Sequence, residues 1–379
     1  MAEPVPRQTR EPLALYALLV LVNVALLIGL ASSPSLAPDY RAFHVAGQMA
    51  RSAPATIYSR EAQSEAQRNA FGGTQLIPFF HPPQELLVFA PLSILPFKLS
   101  LLLWRLLNVL FVVVAAVLLA DALGLRRLPT ILQAAALFPI AFCILQGQDS
   151  ILLLVILCAS FRLLRANLEV AAAVVLSLGL FKPQLPVIIA LALLAIGRNK
   201  FVLAFAASSA AAVAASFAYL GPIGARQLIR CAQLSESMLP IERMPNIRGL
   251  LARFAGDFHL LTLLLAVVCL AAFFLLWRRA RSLDFAFASS ICIGSIVAPH
   301  LFSQDLSLLV VPIAIMARHW TRRETLMLAP LYIAPIFLLL SYLNLASLLV
   351  VPTVLLCVAT FRLQPQRTPA TAPQVAVAN

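Results

Sequence analysis

Charge is scarce in this chain. Only 11% of its 379 residues are Asp, Glu, Lys or Arg, while 61% are apolar and the mean hydropathy is +0.93. A soluble domain carries about 25% charged residues, so a water-soluble globular protein is excluded and an integral membrane protein remains. Acid is scarcer than base, 15 residues against 28, for a net charge of +13. That surplus does not point to nucleic acid, because the Arg and Lys residues come as short clusters between apolar runs, where charge orients helices in a bilayer. Cysteine shows no framework: Cys143, Cys158, Cys269, Cys292 and Cys357 lie inside apolar runs and Cys231 in a polar loop, with no metal-ligand spacing and no evident pairing. A glycine-rich phosphate loop, an internal repeat, an Asp-x-Asp pair after the first apolar run and a His/Asp cluster of metal spacing are all missing. No cofactor is therefore assigned, and a divalent metal is left open without support.

Long apolar runs are what the chain has. A crossing helix needs about 20 apolar residues, with about 17 the usual lower limit. Runs bounded by charge or proline place twelve spans near 13–31, 99–120, 130–146, 149–164, 168–181, 184–197, 200–220, 258–277, 284–299, 305–317, 326–341 and 344–361. The expected fold is thus an all-α polytopic membrane protein of about 12 transmembrane helices. With that count, Arg7/Arg10, Arg126/Arg127, Arg162/Arg165, Arg198/Lys200, Arg278/Arg279/Arg281, Arg318/Arg322/Arg323 and Arg362/Arg367 share one side, which the positive-inside rule makes cytoplasmic. Residues 1–12 then read as a cytoplasmic leader retained as no removed signal would be, 13–361 as one transmembrane domain, and 362–379 as a disordered cytoplasmic tail. Two longer outer loops fall at about 32–83 and 221–257. The stretch 84–97, held between Pro82-Pro83 and Pro96, is too short to cross and reads as a re-entrant or interfacial helix on the outer side.

The polar residues of interest all fall at that outer side. Asp39 heads an amphipathic stretch in which Tyr40, Phe43, Gly47 and Ala50 share one face and Arg41, His44, Gln48 and Arg51 the other, so a helix lying in the interface is expected. Its carboxylate is placed either to take the proton of an attacking hydroxyl or to cap that helix; Tyr40 beside it is counted among substrate contacts. A second polar helix is expected near 61–70. His81, in Phe79-Phe80-His81-Pro82-Pro83, is placed to contact an acceptor or a phosphate, or simply to shape a turn. Gln148, in Gln146-Gly147-Gln148-Asp149, suits sugar hydroxyls or a helix cap. Lys182, between two apolar runs and followed by Pro183, calls for an anion such as phosphate, or else snorkels to the headgroups. The second outer loop breaks the charge trend with Arg226, Arg230, Arg243, Arg248 and Arg253; Arg248, in Pro245-Asn246-Ile247-Arg248-Gly249, is the preferred phosphate ligand and the other four stay open between phosphate and solvent. His300, in Ser295–Asp305, is placed to bind a donor phosphate or to orient Asp39, with Asp305 capping the helix it begins.

Taken in order, Asp39-Tyr40, Ile57-Tyr58, His81-Pro82-Pro83, Pro91–Phe97, Trp104, Asn108, Gln146–Ser150 and Gly179–Gln184 resemble the bacterial membrane glycosyltransferases of family 87, in the GT-C class. The resemblance spans roughly residues 10–320. It implies inverting transfer of a sugar, a mannose-like hexose or arabinofuranose, from a polyprenyl monophosphate to a lipid or glycan acceptor. It also implies an active site on the periplasmic face of the inner (plasma) membrane, with Asp39 as base. The family often has Tyr-Pro-Pro and Gly-Gln-Asn where this chain has His81-Pro82-Pro83 and Gly147-Gln148-Asp149. A polytopic transporter or lipid flippase is the alternative class; it would place ionisable residues near span midpoints and repeat one half of the chain in the other. Only Arg105 approaches that pattern. A non-catalytic partner in an envelope-synthesis complex is the third reading.

Overall fold

A computed structural model describes residues 13–30, 37–73, 76–236, 240–320 and 322–365, so the leader and nearly all of the tail lie outside the described residues. Every regular element among them is helical. The chain opens with α1 (Leu13–Leu30), then α2 (Pro38–Ser52), α3 (Arg60–Phe71), the seven-residue α4 (Leu86–Leu92) and α5 (Phe97–Leu123). There follow α6 (Arg127–Ala136), α7 (Phe138–Gln146), α8 (Ser150–Arg165), α9 (Glu169–Ser177), α10 (Gln184–Ala195) and α11 (Asn199–Glu236). The last part holds α12 (Ile247–Phe254), α13 (His259–Ala280), α14 (Leu283–Val297), α15 (Val310–Ile315), and the short α16 to α19 (Arg322–Met327, Ala329–Tyr332, Ala334–Tyr342 and Val350–Ala359).

Among the described residues, five segments are long and apolar enough to cross a membrane: α1, α5, Asn199–Cys231 within α11, α13 and Ala346–Leu363; α6 and α7, bent by 65°, make a sixth if taken as one broken span. Twelve full-length crossings are not found among the described residues. The difference lies in proline and glycine, which cut the apolar runs into pieces such as α10, whose 12 residues reach about 18 Å at 1.5 Å each, well short of a hydrocarbon core of about 30 Å. Only Asn23 of α1 is fully buried, and α13 buries just Thr262 and Trp277, so both helices show apolar flanks to lipid. A large core joins α5 to α10 with α14, α15 and α19.

A second, smaller core sits at one end, where α2, α4 and the start of α5 pack through Tyr40, Phe43, Phe89 and Trp104, with Phe43 stacked on Phe89 at 4.5 Å between centroids. Here α2 departs from the interfacial helix expected of it. His44 and Val45 are buried as well as Tyr40 and Phe43, because α3, α4 and α5 cover nearly the whole of the helix and leave chiefly Gln48, Arg51 and Ser52 outside. The 84–97 stretch is a turn and α4, packed on α2. Much of the supposed loop at 221–257 is helix. Gly221, at φ 66°, and Pro222 bend α11 there without ending it, and this brings Cys231 out of the expected polar loop into the second core. The basic turns gather at the opposite end: Arg318 donates to the Gly124 carbonyl (2.9 Å), Arg165 pairs with Asp284 (3.2 Å) and Arg362 reaches the His319 carbonyl (3.1 Å).

Candidate active site

Three local devices build one wall of a cavity at the α2 end. Gly147 ends α7 in the left-handed region (φ 69°), and a side chain there would collide with Tyr40, so glycine is required. Trp104 donates to the Gly147 carbonyl at 3.0 Å and Arg105 to the Leu145 carbonyl at 2.6 Å, fixing the turn that aims Gln148. Arg105 therefore serves the end of α7. From the other side, α3 grips the extended segment before His81: Gln63 donates to the Phe79 carbonyl (3.0 Å) and accepts its N–H (2.8 Å), and Gln67 does the same at Ile77 (2.7 and 3.1 Å). Tyr58 then donates to the His81 carbonyl at 2.6 Å. The polar helix foreseen near 61–70 is thus a clamp, with both glutamines buried.

The cavity has a volume of about 840 Å³ and is lined by Asp39, His81, Gln148, Lys182, Arg243 and His300, among others. Asp39 does not cap α2. The cap position is Ala37, Pro38 opens the first turn, and the Asp39 carboxylate accepts instead from the Gln148 amide, 109 residues away. Burial raises the Asp39 pKa above the ordinary carboxylate range, opposed by the Gln148 hydrogen bond and by the charge of His81. Tyr40 turns away from the cavity and is fully buried against Ser100, at 2.6 Å. That places it in the packing of α2, outside reach of a substrate, because it faces α5 one residue round the helix from Asp39.

Lys182 neither snorkels nor stands open to an anion. Its ammonium donates to Asp305 (2.6 Å) and to the Ser150 hydroxyl (2.7 Å) and lies at ion-pair distance, 2.7 Å, from Asp149. Asp305 also accepts the Phe302 N–H at 2.8 Å, the capping role foreseen for it. Arg248 is likewise engaged: it forks onto Asp257 (3.1 and 3.3 Å) and donates to the Pro299 carbonyl (3.0 Å). It lines a separate apolar groove of about 620 Å³ between α10, α13 and α14, which touches the first cavity at Pro183 and Gln184. His300 packs edge-on against Phe80 and Phe302. Burial lowers it to about 4, so it stands neutral near pH 7. Of the four arginines left open, Arg243 lines the main cavity from its exposed position.

Glu85 had no place in the sequence reading. Fully buried, its carboxylate lies at ion-pair distance, 2.7 Å, from His81 Nδ1, while Asp149 stands 3.2 Å from the same atom. Its signal was the His81-x-x-x-Glu85 spacing, one helical turn. Burial alone would lower His81, yet these two carboxylates lift it to about 10, and burial beside Asp149 lifts Glu85 to about 8. Ligand atoms of His81, Glu85 and Asp149 lie within 4.8 Å of one another, the compass of a three-ligand cation site. The donor set does not fit a metal well, because His81 and Lys182 already bring positive charge to those oxygens at ion-pair distance. The arrangement as a whole can accept a proton at Asp39 and present positive charge nearby, in a pocket large enough for a sugar.

No curated protein and no solved structure matches this chain. The model of glycosyltransferase family 87 does, over residues 79–312, a stretch that contains His81, Gln148, Lys182, Arg248 and His300 and begins after Asp39 and Tyr40. With well over half of the sequence inside that match, the chain belongs to glycosyltransferase family 87 and is a membrane glycosyltransferase.

Proposed function

We propose that this enzyme moves a sugar, a mannose-like hexose or arabinofuranose, with inversion from a polyprenyl monophosphate to a hydroxyl of a lipid or glycan acceptor. The acceptor oxygen attacks the anomeric carbon, its proton passes to Asp39, and the bond from that carbon to the phosphate oxygen breaks with its electron pair, releasing polyprenyl phosphate. The observation that carries this reading is Asp39 itself, a carboxylate that caps nothing and is held by Gln148 at the wall of a cavity of sugar size. The apolar groove beside it, meeting the cavity at Pro183 and Gln184, suits a polyprenyl chain with its phosphate at the junction.

Positive charge near that junction offsets the charge that builds on the leaving phosphate. In this proposal His81 and Arg243 face the phosphate, Arg248 stands at the end of the chain groove, His300 supplies a neutral imidazole, and Lys182 holds Asp149 and Asp305 in place instead of touching the donor. The shorter apolar helices complete the crossings of a GT-C-like fold. Positive-inside then puts the basic end in the cytoplasm of a bacterial cell and the cavity on the periplasmic face of the inner membrane.

The test is transfer of radiolabel from synthetic polyprenyl-phosphate sugars to lipid extract by the purified protein in nanodiscs. Asp39→Asn should lose about 10²–10⁴-fold in rate, the usual contribution of a positioned base. An Asp39→Asn enzyme as fast as the wild type would sink the mechanism. Label that crosses a vesicle membrane without entering a new glycolipid would favour the transporter or flippase class.

A further inference from the structure

Behind His81 lies a buried group that transfer itself does not employ. Glu85, 2% exposed, closes the turn Pro83–Glu85, four residues after His81, and its carboxylate approaches the imidazole to 2.7 Å. Asp149, at the start of α8, stands 3.2 Å from the same Nδ1. The His81 backbone is fixed independently, through Tyr58 on its carbonyl and the Gln63 clamp on Phe79. Phe43, Phe79 and Phe80 ring the imidazole, with centroids 5.1 to 5.8 Å away. With Nδ1 committed to carboxylates, Nε2 is the ring atom left for the cavity that His81 lines.

We propose that Glu85 is a positioning residue for glycosyl transfer: it holds the His81 ring with Nδ1 turned inward and keeps it a cation, so that Nε2–H is offered to the donor phosphate. This rests on the reading of the cavity as a polyprenyl-phosphate sugar site. Asp149 shares the task, with one oxygen 3.2 Å from His81 and the other 2.7 Å from Lys182. The remaining titratable groups around the ring are Asp39 across the cavity, His300, and Lys182 with Asp305 beyond Asp149. As pH rises, Glu85 gives up its own proton near 8, which adds a negative charge beside the imidazolium before His81, at about 10, would lose its proton. Glu85 therefore extends the life of the cation on the alkaline side.

Two measurements decide it. In the transfer assay, the ratio of Glu85→Gln to wild-type kcat should fall about tenfold between pH 6.5 and pH 9, the consequence of moving one titration by about a unit or more, with the KM for acceptor little changed. A ratio that is the same at every pH marks Glu85 as a packing residue only and overturns the proposal. Nitrogen NMR of histidine-labelled wild-type protein in nanodiscs needs no substrate. The chain has five histidines, and His81→Asn identifies the relevant signal. Both His81 nitrogens should be protonated at pH 8.5; a neutral ring there overturns the proposal, as does a stoichiometric metal ion bound at His81. If no polyprenyl-phosphate donor is used while the NMR shows a charged His81, the functional reading fails and the charge-holding role of Glu85 stands.

Discussion

At the residue scale the site is a set of charges that cancel in pairs. Lys182 and Arg248 look like phosphate ligands as single residues, yet each is already matched by carboxylates at ion-pair distance. Asp39 looks like a cap and is not one, because Pro38 and Ala37 take the helix start and Gln148 takes the carboxylate. Its environment sets a pH dependence. A base works only when ionised, and burial raises the pKa of Asp39, so activity should drop as pH falls through a value above the ordinary carboxylate range. His81 stays charged on that side and adds no limb of its own there. A profile of kcat/KM from pH 4 to 8 checks this, and an acid limb at an ordinary carboxylate value would contradict it. Sequence offered Asp39, His81 and Gln148 as candidates by their position at run ends. It hid Glu85, Gln63 and Gln67, since a buried acid or amide reads like a solvated one until its partner is known.

At the element scale the breaks carry the information. Pro139 has no N–H for the Ala135 carbonyl, and the Ile140 N–H turns to Leu137, so the bend between α6 and α7 leaves the carbonyls of Ala135 and Ala136 without helical donors. Asn23 of α1 supplies both, at 3.1 and 3.2 Å. That one side chain pins a helix otherwise turned to lipid. Asn23→Leu should lower stability by about 1 kcal/mol, the scale of interhelical hydrogen bonds in membranes, seen as a lower thermal midpoint in detergent with transfer chemistry retained at low temperature. The prolines and glycines that break the runs were visible in the sequence; the asparagine that repairs the bend was visible too, but not its partner 112 residues on.

At the scale of the whole molecule, the cavity and the basic turns occupy opposite ends, and the apolar groove runs from the cavity along α10, α13 and α14. If a polyprenyl chain lies there, filling the groove should penalise long donors alone. Ala266→Trp, on α13, should raise the KM for a full-length polyprenyl donor about tenfold, equivalent to about 1.4 kcal/mol of lost contact, and leave a two-isoprene donor nearly unaffected. Equal effects on both donors, measured side by side, would place the chain elsewhere. Twelve crossings were expected because hydropathy adds apolar residues along the chain; among the described residues helix lengths give five full spans, or six with the bent pair, because the same run is divided wherever proline or glycine turns it.

By itself the sequence determined the class and the ends. Apolar runs with charge only between them must be helices in a membrane, and the order of short motifs from His81-Pro82-Pro83 to Gly179–Gln184 carried the family. Only the tertiary structure decided which charges remain available to a substrate. Pairing energy depends on separation and burial, and the partners here, Asp39 with Gln148 or Lys182 with Asp305, lie 109 and 123 residues apart in the chain. No local count of residues reaches across that distance.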